Sequence, residues 1–292
     1  MSDLNGFKYE NILVVVDPTR QEQPALERAL VASTLDIHPK IHIFIGVDLA
    51  STENSADNPK LYKSADELLN LLRPLDEKNI DYTTEICWAP QWHEAILRSA
   101  KNNKVDMIIV PDYSREDEAH GGLGGLRHRL SDPKWGLLRN AIRPVFLVRP
   151  NTSRKRSTIL AAVKTQTVKT EYNTLNNKII SRGRWLASLY DADFHVVNAY
   201  PDSLNYPDRG QLRRITDMDT NKVHVKLGSP EDVITQTARE IDADIVIIGT
   251  LARKGVLAAM RGNTSEKVID KLTQDIFTLN SDPWEHIRKS EG

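Results

Sequence analysis

The sequence has a single cysteine, Cys87, in 292 residues, so no intramolecular disulfide can form and no multi-thiolate metal site can be built. Between Ile86 and Trp88, that thiol is expected to be packed in a core. No apolar run approaches the ~20 residues that a membrane span requires. Charge of either sign is not in excess: 39 Lys and Arg against 40 Asp and Glu leave a net charge of -1, which draws the chain neither to nucleic acid nor to anionic lipid. The opening Met1-Ser2-Asp3-Leu4-Asn5 lacks the basic and apolar character of a secretory signal, and a cytoplasmic location is expected. Catalytic signatures are missing as well. There is no Gly-x-x-x-x-Gly-Lys-Ser/Thr loop and no Gly-x-Ser-x-Gly elbow, which removes the P-loop and hydrolase mechanisms. The histidines are scattered, and neither Arg127-His128-Arg129 nor Trp92-His93-Glu94 has the spacing of a metal set.

What is present is a globular composition in a chain long enough to favour two domains, and the chain repeats itself. Asn11 to Pro18 and Ser157 to Lys164 are strands running into turns, each followed by a helix: Leu26, Ala29, Leu30 and Ser33 share one face, Leu175, Ile179, Leu186 and Leu189 the other. Second strands follow at Ile41 to Val47 and Phe194 to Ala199. A full amphipathic helix through Leu61, Leu68, Leu72 and Leu75 has only a short counterpart near Gln211 to Met218. Alternating strands at Tyr82 to Cys87 and Lys222 to Leu227 are expected to be half-buried. Val105-Asp106-Met107-Ile108-Ile109-Val110 then matches Ala243-Asp244-Ile245-Val246-Ile247-Ile248 position by position, and Val145 to Val148 matches Ile276 to Leu279. Trp88, Trp92, Trp135 and Trp185 are expected as core or cavity wall. Strands alternating with helices in each half predict two doubly wound, five-stranded parallel-sheet α/β domains, arranged as a pseudo-twofold pair. The predicted bounds are residues 1–150 and 157–292, with the polar linker 151–156 between them.

The stretch from Ile245 to Ile269 carries the main chemical signal. A β-branched run ends at Gly249-Thr250, a loop follows, and a helix begins near Asn263, where Asn263 can cap and Glu266 can reach back. Free amides at Asn263, Thr264 and Ser265 then form an anion cradle, with Arg253, Lys254 and Arg261 around it. Gly121-Gly122-Leu123-Gly124-Gly125 in the first half follows the acidic stretch Arg115-Glu116-Asp117-Glu118 and reads as a surface loop. The linker's Arg154-Lys155-Arg156 reads as a solvated charge run, so a nucleic-acid partner is not expected.

Gly249 and Gly262, at their spacing and followed by Asn263, resemble the nucleotide loop of the universal stress protein family. In that loop a glycine, two residues, a second glycine, nine residues and then glycine-serine or glycine-threonine wrap a triphosphate. Ala252 stands at the inner glycine and Asn263 at the serine, and Gly-Asn-Thr in a chain of double length is similar to the family's tandem-domain branch. The resemblance spans nearly the whole chain. It implies two adenine nucleotide α hydrolase-like domains, with Val145 to Val148 beside Ile276 to Leu279, and leaves room for a homodimer of chains. It implies ATP or another nucleotide as the small-molecule ligand, with Mg as its companion ion. It further implies that Asp17, at the end of the first strand, matches the aspartate that holds adenosine, while the corresponding residue of the second half is Lys164. The glycine loop is distributed the other way: Pro111-Asp112-Tyr113 and Ser131-Asp132 stand where the second half has Gly249-Thr250-Leu251 and Gly262-Asn263.

Three roles remain open from the sequence. The first is a stress-response protein binding a nucleotide-type ligand in the second half at Gly249, Thr250, Arg253, Gly262, Asn263, Thr264 and Ser265, without rapid turnover. The second is an interaction platform whose sites have decayed, favoured by the divided motif and by the methyl group of Ala252. The third is a slow ATPase or nucleotide transferase, which the fold alone suggests. With no general base, nucleophile or metal cluster in view, a dedicated catalyst is not expected.

Overall fold

Ile12 to Val16 are five apolar residues in succession, and all five are buried, as expected of a strand covered on both faces of a parallel sheet. The computed structural model describes residues 9–17, 20–33, 35, 38–48, 65–89, 92–113, 133–150, 152, 155–166, 170–250 and 264–280. The chain divides into two compact units, one of Lys8–Arg154 and one built on Lys155–Gly292.

In the first unit the described elements are β1 (Asn11–Val16), α1 (Pro24–Ala32), β2 (Lys40–Asp48), α2 (Ala65–Glu77), β3 (Tyr82–Ala89), α3 (Trp92–Asn102), β4 (Met107–Pro111), α4 (Pro133–Asn140) and β5 (Val145–Val148). Its strands run in the order β3-β2-β1-β4-β5, every neighbouring pair parallel. The second unit repeats the plan with β6 (Thr158–Val163), α5 (Thr170–Tyr190), β7 (Asp193–Tyr200), α6 (Arg209–Thr216), β8 (Val223–Leu227), α7 (Pro230–Glu240), β9 (Ile245–Thr250), α8 (Thr264–Lys271) and β10 (Asp275–Asn280). Here the order is β10-β9-β6-β7-β8, again all parallel. The expected α/β architecture with five parallel strands per half is therefore present. α5 is the longest helix described, whereas α6 is short, capped by Asp208 at its start and ended by Asp217 in the left-handed region.

A parallel sheet leaves the first amides of its central strand without a hairpin partner, and each unit solves this in the same way. Asp106 Oδ2 accepts from the backbone N–H of Glu10 and Asn11 at 3.1 and 3.2 Å. Asp244 Oδ2 accepts from Ser157 and Thr158 at 2.6 and 3.1 Å. Hydrogen bonds to a charged acceptor are worth about 1.5–3 kcal/mol each, so one carboxylate fixes where β1 or β6 enters its sheet. Arg156, expected in a solvated linker, is instead fully buried in an ion pair with Asp275 at the same end of the second unit, because the charged start of β10 demands a partner there.

The edge strand β3 departs from expectation, whereas β8 is half-buried over most of its length as expected. Ile86 is 51% and Trp88 43% exposed on β3, and Cys87 is only half-buried. Burial, aided by Glu85, still pushes that thiol's pKa up, which keeps it protonated. Trp135 is buried as predicted.

On β7 and β8, His195 Nδ1 and His224 Nε2 lie 3.0 Å apart in one hydrogen bond, so one ring donates and the other accepts. His42 holds the same register position on β2, against Thr83. Burial first, then Lys222 for His195 and the facing His195 for His224, holds both rings of the pair below the ordinary value of 6.5.

Two predictions follow from this packing. A methyl group at Gly183 would lie 2.2 Å from Phe194 Cε2. Gly183→Ala should therefore cost about 1–3 kcal/mol, read as a lower urea midpoint, and Phe194→Leu added to it should recover part of the loss. An unchanged midpoint would contradict so close a helix-to-strand contact. For the histidine pair, the unfolded chain takes up protons near pH 6.5 while the folded pair takes them up only lower, so its stability contribution is complete above pH 6.5 and declines as pH falls. Between about pH 7.5 and about pH 5.5 the Tm of wild type should fall more steeply than that of His224→Gln; equal slopes would contradict the lowered proton affinity of the buried rings.

Candidate functional site

The position of β1 between β2 and β4, and of β6 between β7 and β9, makes the C-terminal ends of these strands the switch points of the two sheets. Loops there leave in opposite directions and open a crevice, where ligands of open α/β sheets bind. Continuing the register of β1 with β4 brings Asp17 opposite Asp112, and that of β6 with β9 brings Lys164 opposite Thr250.

Each crevice has one wall set by a buried amide that sequence comparison of the halves does not reveal. Gln23, 5% exposed, accepts from Asp17 N–H through Oε1 at 3.2 Å and donates through Nε2 to the Asp17 and Arg20 carbonyls at 2.7 and 2.8 Å. Asn176, 3% exposed, accepts from Lys164 N–H at 3.1 Å and donates to the Lys164 carbonyl at 2.8 Å. The same clasp thus orients Asp17 in one unit and Lys164 in the other. It comes from a helix cap six residues on in the first case and from inside a helix twelve residues on in the second.

The second crevice is polar and carries a cation. Lys164 is exposed, with Nζ 5.2 Å above the Tyr172 ring, and no carboxylate pairs with it among the described residues. Beneath it, Gln166 Nε2 donates to Asn198 Oδ1 at 2.5 Å and to the Ala199 carbonyl at 2.7 Å, and Asn198 Nδ2 donates to Thr165 Oγ1 at 2.8 Å. Across it, the Thr250 hydroxyl donates to Asn280 Oδ1 and to the Leu279 carbonyl, and Ser265 Oγ donates to the Gly249 carbonyl at 2.9 Å. Thr264 is exposed at the first turn of α8. Gly249 has a packing reason of its own, since a Cβ there would meet Leu175 Cδ2 at 2.5 Å. Arg253, Gly262 and Asn263, along with Ala252, Lys254, Arg261 and Asp132, lie outside the described residues, as does the glycine run 121–125.

The first crevice has the opposite charge pattern. Asp112 is buried between Lys134, 3.4 Å from Oδ1, and Arg149, 3.2 Å from Oδ2. Tyr113 is fastened to the loop after β1, its hydroxyl donating to the Glu22 carbonyl at 2.7 Å and its ring lying 4.8 Å from the Arg20 guanidinium. Among the described residues, no cluster of three His, Cys, Asp or Glu side chains gathers as a metal site, and no helix is long and apolar enough to cross a membrane.

A cavity of about 520 Å³ lies elsewhere, at the strand starts of the second unit, and includes Arg184, Arg213, Phe194 and Lys222 in its lining. Two of its cations serve the chain itself: Arg184 donates to the Thr216 carbonyl and Lys222 to Asp193. It is not the switch point, and size alone does not make it the site.

Residues 217–278, from the end of α6 to β10, match the Universal stress protein family. Over 94% of this chain and 98% of the relative, the sequence is 30% identical to the universal stress protein E homolog of Haemophilus influenzae. It is 28% identical to universal stress protein E of Photorhabdus laumondii, over 95% and 96% of the two chains. The crystal structure of a putative universal stress protein from Pseudomonas aeruginosa superposes with a TM-score of 0.74 and 25% identity, covering 97% of each chain. The twin parallel sheets and this likeness along nearly the full length lead to one assignment: the chain belongs to the universal stress protein family.

Proposed function

We propose that this stress-family protein binds a phosphate-bearing nucleotide, ATP or a relative of it, at the β6–β9 switch point of its second unit, and holds it without rapid turnover. The observation that carries the proposal is Lys164. At the strand end where the first unit has Asp17, the second presents an exposed ammonium with no carboxylate partner among the described residues, its backbone clasped in place by buried Asn176. Such a cation beside a loop that keeps Gly249 and Gly262 suits a polyphosphate. The backbone amides at the start of α8, with Thr264 and Ser265 in its first turn, would supply donors, and Arg253 further charge. Mg would accompany the phosphates rather than be held by a protein cage. In the first unit, Asp17 keeps the acid that suits adenosine, but the cations Lys134 and Arg149 near it are already occupied by Asp112.

One observation favours the alternative role as an interaction platform. The Thr250 and Ser265 hydroxyls, which resemblance would offer to a ligand, are spent on Asn280 and on the Gly249 carbonyl. Under the nucleotide proposal, donors to phosphate are therefore backbone amides and cations, not these hydroxyls.

Thermal melting with ATP, ADP and adenosine separates the two roles. A nucleotide at one hundred times its Kd adds about 2.7 kcal/mol of stability, with the phosphate-bearing ligands ahead of adenosine. Lys164→Glu should weaken ATP binding by at least roughly tenfold, about 1.4 kcal/mol, and Gly262→Val should abolish it while leaving the fold intact. No shift with any of the three ligands, or equal affinity in both folded variants, would overturn the nucleotide role in favour of the platform.

A further inference from the structure

Asp112 is held more elaborately than a strand-end carboxylate needs. Its side chain is 2% exposed, and it faces two cations that are themselves largely covered, Arg149 at 5% and Lys134 at 12%. The cations come from different elements. Lys134 belongs to the first turn of α4, and Arg149 directly follows β5. Arg149 is in turn fixed from behind: Thr152 Oγ1 donates to its carbonyl at 2.9 Å and accepts from Arg28 Nη2, on α1, at 3.0 Å. Asp112 itself continues the ladder of β4, its N–H donating to the Val148 carbonyl at 2.8 Å.

The location gives this cluster its meaning. It lies at the C-terminal end of β4, beside the switch point, against the start of the following helix, which is where open α/β sheets hold the anionic part of a ligand. Two buried cations without an anion between them would be strongly destabilising, because desolvation of each charge would go uncompensated. The chain meets that demand from its own sequence. Tyr113, the next residue, closes the same region by fastening itself to Glu22 and stacking with Arg20 on the loop after β1.

We propose that Arg149 and Lys134 form an anion receptor in the first unit whose resident anion is the chain's own Asp112 carboxylate, and that a small carboxylate or inorganic phosphate takes that place when the side chain is removed. The receptor is independent of the second unit's Lys164, so it stands or falls apart from nucleotide binding there. It differs from an ordinary buried ion pair in one respect that can be measured. An ion pair needs its tethered partner, whereas a receptor accepts a free one of the same chemistry. Asp112→Gly leaves a gap the size of acetate, since the deleted atoms are a CH2 and a carboxylate.

The test uses full-length protein with acetate, formate and inorganic phosphate, each against chloride at matched ionic strength. In chloride, Asp112→Gly should melt lower than wild type by roughly 10 °C. Acetate or formate should restore at least half of that loss while leaving wild type unmoved. Asp112→Asn, which keeps the volume but not the charge, should also melt lower and should not respond, because no space is vacated. Asp112→Gly with Arg149→Met should be insensitive to the anions. Should Asp112→Gly fail to fold in chloride, its refolding yield in acetate against chloride reads the same property. Phosphate acting without the monocarboxylates would still support a receptor and assign it to phosphate. Absence of preferential rescue by any of the three anions, in melting or in refolding yield, would overturn the proposal and leave a structural ion pair.

Discussion

One carboxylate oxygen in each unit, on Asp106 or Asp244, holds the first amide of the strand at the centre of the sheet and the amide just before it. The rest of each unit depends on that placement. In a parallel sheet no hairpin supplies partners at strand starts, and a slip of one residue would put the five-residue apolar run of β1 or β6 out of register with both neighbours. With β1 and β6 seated, helices follow on each side, loops diverge at the opposite strand ends, and a crevice opens where they part. The two crevices are thus consequences of a constraint satisfied at the far end of the same strands.

The two crevices are lined in contrary ways. In the second unit the crevice presents a solvent-facing cation, Lys164, over a floor of amides and hydroxyls linked by hydrogen bonds among Gln166, Asn198 and Thr165. In the first it holds a buried carboxylate between two cations and a tyrosine fastened across to the neighbouring loop. The backbone clasps of Gln23 and Asn176 show that both units still hold the strand end rigidly. What differs is the residue delivered there, the acid Asp17 in one unit and the cation Lys164 in the other.

The parts of this arrangement that were legible in the sequence are those fixed by local pattern. Continuous apolar runs announced β1, β4, β6 and β9, because strands covered on both faces have no polar alternation to disguise them. The match of Asp106 to Asp244 was visible too, although its purpose was not, since the amides it binds lie far away in sequence. Exposure of Ile86 and Trp88 was misjudged because burial of an edge strand depends on what covers it, which alternation alone does not state. The clasps were hidden by loops of unequal length, which put glutamine on a helix cap in one half and asparagine within a helix in the other. Asp112 read as a departure from a glycine motif; its partners Lys134 and Arg149 become apparent only when β5 and α4 are folded beside β4. Gly249 was legible as a glycine position, but its contact with Leu175 shows that helix packing alone already demands it.

The central claim is that only the second switch point accepts a phosphate-bearing nucleotide, and backbone amide chemical shifts recorded during an ATP titration of the full chain test it most directly. The account predicts that amides at Lys164, Gly249, Thr250 and Thr264 move together and saturate, while those of Asp17, Asp112 and Tyr113 stay in place. Saturable movement centred on Asp112 and Tyr113, or no saturable movement in either unit, would contradict it.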